Sequence, residues 1–299
     1  MPKGIPTSGF RMTKNRMKMG KSFKPGKSAK VQAIPKQEFA KPVKDETDEQ
    51  IRSKLTDAFH TMDKITDATL NGKSKSFILS GPPGLGKSYG VMKIAAEYER
   101  KGRQVCVVKG FARATGLYKV LYEYRTKNCV VIFDDADSVF WDMDALNLLK
   151  SACDMTRTRT LSWLAETNMK DASDENVPTK FDFEGSIIFL TNMDFDALIA
   201  KGNKNAVHFS AMISRSIYLK LPIDTRRDYM MRIKMVIEEG MLKDNGLNEF
   251  DASELVMFLE KNCEHLRELS LRMVVKLGNL MQMDRNEWQK LARVTCFTK

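Results

Sequence analysis

The 299-residue sequence has no run of 18 apolar residues, so no segment reads as a membrane-spanning helix. Histidine is scarce, with only His60, His208 and His265. The five cysteines (Cys106, Cys129, Cys153, Cys263 and Cys296) are scattered and include no Cys-x-x-Cys pair. Those spacings suit neither a zinc site nor a disulfide framework, and a reducing, intracellular setting is the expectation. The N-terminus lacks the apolar stretch of a secretory leader. Acid is nearly missing from residues 1–44, where ten Lys and two Arg face Glu38 alone. That segment carries +11, the formal net charge of the whole chain, and the remaining 37 basic and 37 acidic side chains cancel. A basic arm on a neutral body seeks polyanions while the body need not.

The arm is broken by Pro2, Gly4, Pro6, Gly9, Gly20, Pro25, Gly26, Pro35 and Pro42 and shows no apolar period. It reads as disordered until bound. Nucleic-acid contact, a solubilising tail and a transit peptide all remain open for it. From Asp45 the pattern changes. Ile51, Leu55, Phe59, Met62 and Ile65 recur at four- and three-residue steps, which predicts a helix ending near Asn71-Gly72. Five strands are expected at 76–80, 104–109, 129–133, 186–191 and 216–221. Each is a short apolar or β-branched run, as in parallel sheets covered on both faces. Helical stretches alternate with them, giving an α/β domain over 45–221. Residues 222–299 hold helical patterns only, so a small all-α domain is expected there.

Gly81-Pro82-Pro83-Gly84-Leu85-Gly86-Lys87-Ser88, followed by Tyr89, stands between an expected strand and an expected helix. Gly-x-x-x-x-Gly-Lys-Ser lets backbone N–H groups wrap an anion at a helix N-terminus. Lys87 would reach the β- and γ-phosphates of a nucleotide, and the Ser88 hydroxyl would bind Mg2+. A second element, Cys129-Val-Val-Ile-Phe-Asp134-Asp135, delivers two carboxylates from the C-terminal end of a buried strand. There Asp134 would hold Mg2+ and Asp135 would orient an attacking water.

In order and spacing these motifs resemble the AAA+ ATPases over about residues 73–299. The resemblance implies a five-stranded parallel P-loop core with a C-terminal helical lid, ATP and Mg2+ as cofactors, and ATP hydrolysis. The family pairs Asp with Glu where this chain has Asp134-Asp135, and Asp137 can share the role of the second acid. The resemblance further implies that Asn192, closing 187–192, is the first sensor. Arg215, before the last core strand, would be a finger that reaches a neighbouring subunit. Arg272 would be the lid sensor, with Arg267 as the fallback. No counterpart of the family's adenine-recognition motif precedes residue 73.

An insertion over 157–184 contains possible strands at 159–164 and 181–185. It reads as a pore hairpin with Lys170 and Lys180 near its tip, or as a surface loop over Trp163. Phe111 reads as a pore aromatic or a core side chain. Asp182–Gly185 and Thr191–Asp194 mimic GTPase motifs but lie too close together for that fold. The implied partners are further copies of the chain, most often six, and nucleic acid through residues 1–44; a protein partner is the alternative. A slow nucleotide-gated scaffold is a third reading. The compact layout resembles small AAA+ proteins of tailed bacteriophages, which implies the cytoplasm of a bacterial host.

Overall fold

The computed structural model describes residues 37–42, 46–164, 169–170 and 175–298. Helix α1 (Asp48–Leu70) starts at Thr47, whose hydroxyl accepts from the Gln50 N–H while the Gln50 side chain accepts from the Thr47 N–H. It buries Ile51, Leu55, Phe59 and Met62, the stripe that the periodicity predicts. Then follow β1 (Ser76–Ser80), α2 (Lys87–Arg100), β2 (Gln104–Lys109), α3 (Ala114–Glu123) and β3 (Cys129–Asp134). After a 3-10 turn at Asp137–Phe140 come α4 (Met143–Ala152), β4 (Thr160–Ser162), β5 (Lys180–Asp182), β6 (Ser186–Thr191), α5 (Phe195–Ala200), α6 (Ala206–Arg215) and β7 (Ile217–Lys220).

Five strands form one parallel sheet in the order β2-β3-β6-β1-β7. The order reverses beside β1, so the loop after β1 opens at the switch point where α/β sheets bind ligands. Alternate residues face opposite layers. Phe77, Leu79, Ile132 and Ile188 pack with α1 and α2, whereas Ile78, Val131, Ile187 and Phe189 pack with α3, α4 and α6. Strands β1, β3 and β6 are buried throughout. The expectation of two covered faces holds less well at β2 and β7, the edge strands among the described residues, which keep exposed positions.

The chain ends in α7 (Arg226–Glu238), α8 (Met241–Asp244), α9 (Glu249–Asn262), α10 (Leu271–Met283) and α11 (Trp288–Cys296), with no named strand among them. One apolar cluster runs from α1 and a sheet face into these helices, through Leu221, Ile223, Ile233, Val274 and Trp288. The lid thus shares its core with the nucleotide-binding layer.

Two readings of the sequence need correction. The unstructured arm was expected to reach residue 44, yet residues 37–42 are packed. Phe39 meets Tyr229 edge-on at 5.1 Å, and the Ala40 N–H donates to the Asp224 carbonyl. The cause is an aromatic side chain with a lid surface to cover, which a charge count does not register. The rest of the arm, 1–36 and 43–44, lies outside the described residues. In the insertion, β4 and β5 pair antiparallel, but Lys180 is in register with Ser162 within the ladder and not at a tip. Phe181 packs on Tyr118 and Tyr122, which draws this strand onto α3 and Lys180 with it. Trp163 lies against Tyr118 at 5.9 Å. Residues 165–168 and 171–174 lie outside the described part.

Candidate nucleotide site

The loop between β1 and α2 turns on two glycines with left-handed backbone. Gly84 has φ +72°, and a Cβ there would stand 2.8 Å from the Ser270 Cβ. Gly86 has φ +96° and caps α2. These turns bring the N-terminus of α2, with its partial positive charge, to the sheet edge. Lys87 is buried and donates to the carbonyls of Gly81 (2.6 Å) and Pro82 (2.7 Å) and to Asn192 Oδ1 (3.0 Å). Burial lowers its pKa to about 8, against the pull of Asp135, Asp134 and Asp137 in the other direction.

Three residues from two strand ends meet Lys87 and Ser88. The Ser88 hydroxyl donates to Asp134 Oδ1 at 2.6 Å, and the Asn192 amide donates to Asp135 Oδ1 at 2.9 Å. Asp135 has φ +54°, the one non-glycine with positive φ among the described residues. Its N–H donates to the Leu190 carbonyl, which fixes the turn. Asp tolerates this backbone better than most residues, which gives a physical reason for the shorter acid here. Asp137 sits beside it and accepts from the Thr191 hydroxyl at 2.6 Å; burial raises its pKa, and Asp135 adds to the rise. The donors fit a hard divalent cation, which binds one or two protein oxygens plus nucleotide phosphates. Among the described residues no group of three His, Cys, Asp or Glu is placed to hold a metal ion by itself.

A cleft of about 860 Å³ joins these groups to the lid. Pro83, Gly84, Gly86, Lys87, Ser88, Tyr89, Asp135 and Asn192 line one side, and Arg232, Val236, Met241, Leu271, Arg272 and Val275 line the other. The Leu271 N–H donates to the Gly84 carbonyl at 2.7 Å, so α10 touches the phosphate loop directly. Arg272 is therefore at the cleft, whereas the fallback Arg267 donates to the Phe297 carbonyl near the C-terminus. Arg215 is elsewhere. Its carbonyl accepts from Ser76 at the start of β1, and its Nη1 donates to Ala211. Four strand steps separate Ser76 from Ser80, roughly 13 Å. Phe111 is 74% exposed, so it is not a core side chain.

Sequence reasoning missed Arg232 and Lys109. Arg232 stacks on Phe59 at 3.6 Å and donates from Nε to the Leu85 carbonyl at 3.4 Å, tying α7 to α1 and to the loop. A signal existed, since Arg232 interrupts the apolar stripe of Tyr229, Ile233 and Val236. Lys109 lies 3.1 Å from Asp134 Oδ2 because β2 and β3 end in register, a pairing the sequence does not display.

Residues 77–189 match the ATPase family associated with various cellular activities (AAA). Enterobacteria phage T4 encodes a relative, an uncharacterized 36.7 kDa protein of the nrdC-mobD intergenic region. It is 32% identical over 249 residues, covering 83% of this chain and 76% of the relative. Among solved structures, a mutant of Thermotoga maritima RuvB is similar, with 16% identity, 83% of this chain and 70% of that one covered, and a TM-score of 0.44. The replication initiator DnaA, bound to AMPPCP and single-stranded DNA, shows 14% identity, coverage of 79% and 64%, and the same TM-score. With the family match on the strand-and-loop core and the phage relative extending over most of both chains, this protein belongs to the AAA+ ATPases and is an ATP hydrolase.

Proposed function

We propose that this ATPase couples ATP binding and hydrolysis to remodelling of nucleic acid or movement along it, as a ring or helical homo-oligomer. Six subunits is the number most common in the family, and phage replication, recombination or packaging in a bacterial cytoplasm is the setting in view. The charge distribution supports the nucleic-acid part: twelve cations against one acid in residues 1–44, on a body with no net charge. The T4 relative supports the phage setting.

In the mechanism, the amides of Gly84 to Ser88 cradle the phosphates and Lys87 neutralises charge on the β–γ side. Ser88 and Asp134 would hold Mg2+, which would supply charge neutralisation at the phosphates. Asp135, held by Asn192, orients the water. Arg272 approaches from the lid, and Arg215 of the partner subunit stabilises charge in the transition state. The domain limits in view are 45–221 for the core and 222–299 for the lid, with the arm ending before the packed residues 37–42.

ATPase rates measured with single-stranded DNA, duplex DNA or unfolded protein test the substrate class. Stimulation by DNA alone is expected. Stimulation by unfolded protein alone would overturn the nucleic-acid reading in favour of protein remodelling, which the exposed Phe111 supports.

A further inference from the structure

Lys109 closes β2 and stands in register with Asp134, which closes β3. Its ammonium lies 3.1 Å from Asp134 Oδ2, while the Ser88 hydroxyl donates to Oδ1 of the same carboxylate at 2.6 Å. Both oxygens of the carboxylate assigned to the divalent cation are thus engaged within the chain. We propose that Lys109 is an internal competitor for that cation, claiming one oxygen of Asp134 and thereby setting the metal affinity of the site. The inference rests on the assignment of Asp134 to Mg2+.

The two partners differ in freedom. The Asp134 side chain is 7% exposed and fixed at a strand end, whereas that of Lys109 is 67% exposed. The lysine is therefore the partner that can withdraw. Lys87, by contrast, is buried and bonded to Gly81, Pro82 and Asn192. An ammonium beside the carboxylate lowers metal affinity in two ways. It must give up its contact, and its positive charge repels the incoming cation. A pair with one exposed member has modest strength, so the expected effect is about three- to fivefold in affinity and diminishes with added salt. Lys109 acts here through Asp134 and is a positioning residue.

The probe is Mn2+, whose binding to the ADP complex of the full chain is read by electron paramagnetic resonance. The proteins compared are the parent, Lys109→Met, Lys109→Arg and Asp134→Asn. The Met variant should bind Mn2+ about three- to fivefold more tightly at low salt, with the gain shrinking as salt rises. The Arg variant, which keeps the charge, should bind no more tightly than the parent. The Asn variant should bind more weakly. Unfolding temperatures matching the parent would show that the fold is intact, as expected for an exposed side chain. Parental or weaker affinity in Lys109→Met, with Asp134→Asn weakened, would overturn the role of Lys109 and leave the metal assignment standing. Equal tightening in the Arg variant would overturn it too, because charge would not be the cause. Unchanged affinity in Asp134→Asn would remove the metal assignment and the proposal together.

Discussion

The two ends of the parallel sheet treat charge in opposite ways. At the C-terminal ends of β1, β3 and β6, Lys87 sits among Asp134, Asp135 and Asp137, and side chains answer one another through Ser88, Asn192 and Thr191. At the N-terminal ends, cations gather and bond to carbonyls and to a ring nitrogen. Arg159 donates to the carbonyls of Ala152 and Gly185 at 2.7 Å each. Lys75 bonds the Met155 and Thr156 carbonyls, Arg215 bonds Ala211, and Lys150 pairs with the His208 ring. Burial and the nearby Arg215 both lower the Lys150 pKa, the mark of a cation among cations. The first end is a site complete in charge. The second holds its cations mostly on backbone carbonyls, with Asp154 near Lys75 and Glu184 near Arg159 as the acids in reach.

The largest test removes the charge at the first end. Lys87→Ala should abolish ATP binding in a calorimetric titration, because the loop has no other ammonium; retained affinity would undo the assignment of this end. At the second end, Arg215→Ala should bind ATP as the parent does but hydrolyse it on the order of 10³-fold more slowly. Weakened binding would instead place Arg215 in its own subunit's site. Arg159→Met should leave ATP affinity unchanged while lowering the unfolding free energy by about 3 kcal/mol, since two carbonyls lose a charged donor. A denaturation curve like the parent's would mean that the foot of the sheet does not depend on this contact.

The smallest effect comes from pH. Above about pH 8 the folded, nucleotide-free protein sheds a proton at Lys87 that the unfolded chain keeps until near 10.5. The unfolded state then holds more protons, so stability of the free protein should rise through this window. ATP affinity should fall over the same window, roughly tenfold between pH 7 and 9. Lys87→Arg, which stays charged, should lose this dependence if it still binds; persistence of the full pH effect would point to another group.

Much of the first end was legible in the sequence because its chemistry is written in contiguous residues. Gly81–Ser88 and Phe133-Asp134-Asp135 are local patterns, and strands 76–80, 104–109 and 186–191 match the observed limits. The contacts that assemble the site were not legible. Lys109 reaches Asp134 through parallel register, and Arg232 reaches Leu85 through the docking of α7; both depend on packing between elements distant in sequence. Phe39 was hidden for a similar reason, since a single aromatic in a Lys- and Pro-rich stretch has no period to reveal its partner. The left-handed turn at Asp135 also gives no sequence signal beyond a residue type that permits it.

The central claim is that the two ends of the sheet form one catalytic unit across a subunit boundary. Mixing Arg215→Ala with Lys87→Ala tests it directly, with mixed oligomers verified by differential tagging. The first variant contributes intact phosphate loops and the second contributes intact Arg215. The account predicts that ATPase activity appears in the mixture and peaks at intermediate ratios, although each variant alone is inactive. Verified mixed oligomers with no activity at any ratio would contradict it.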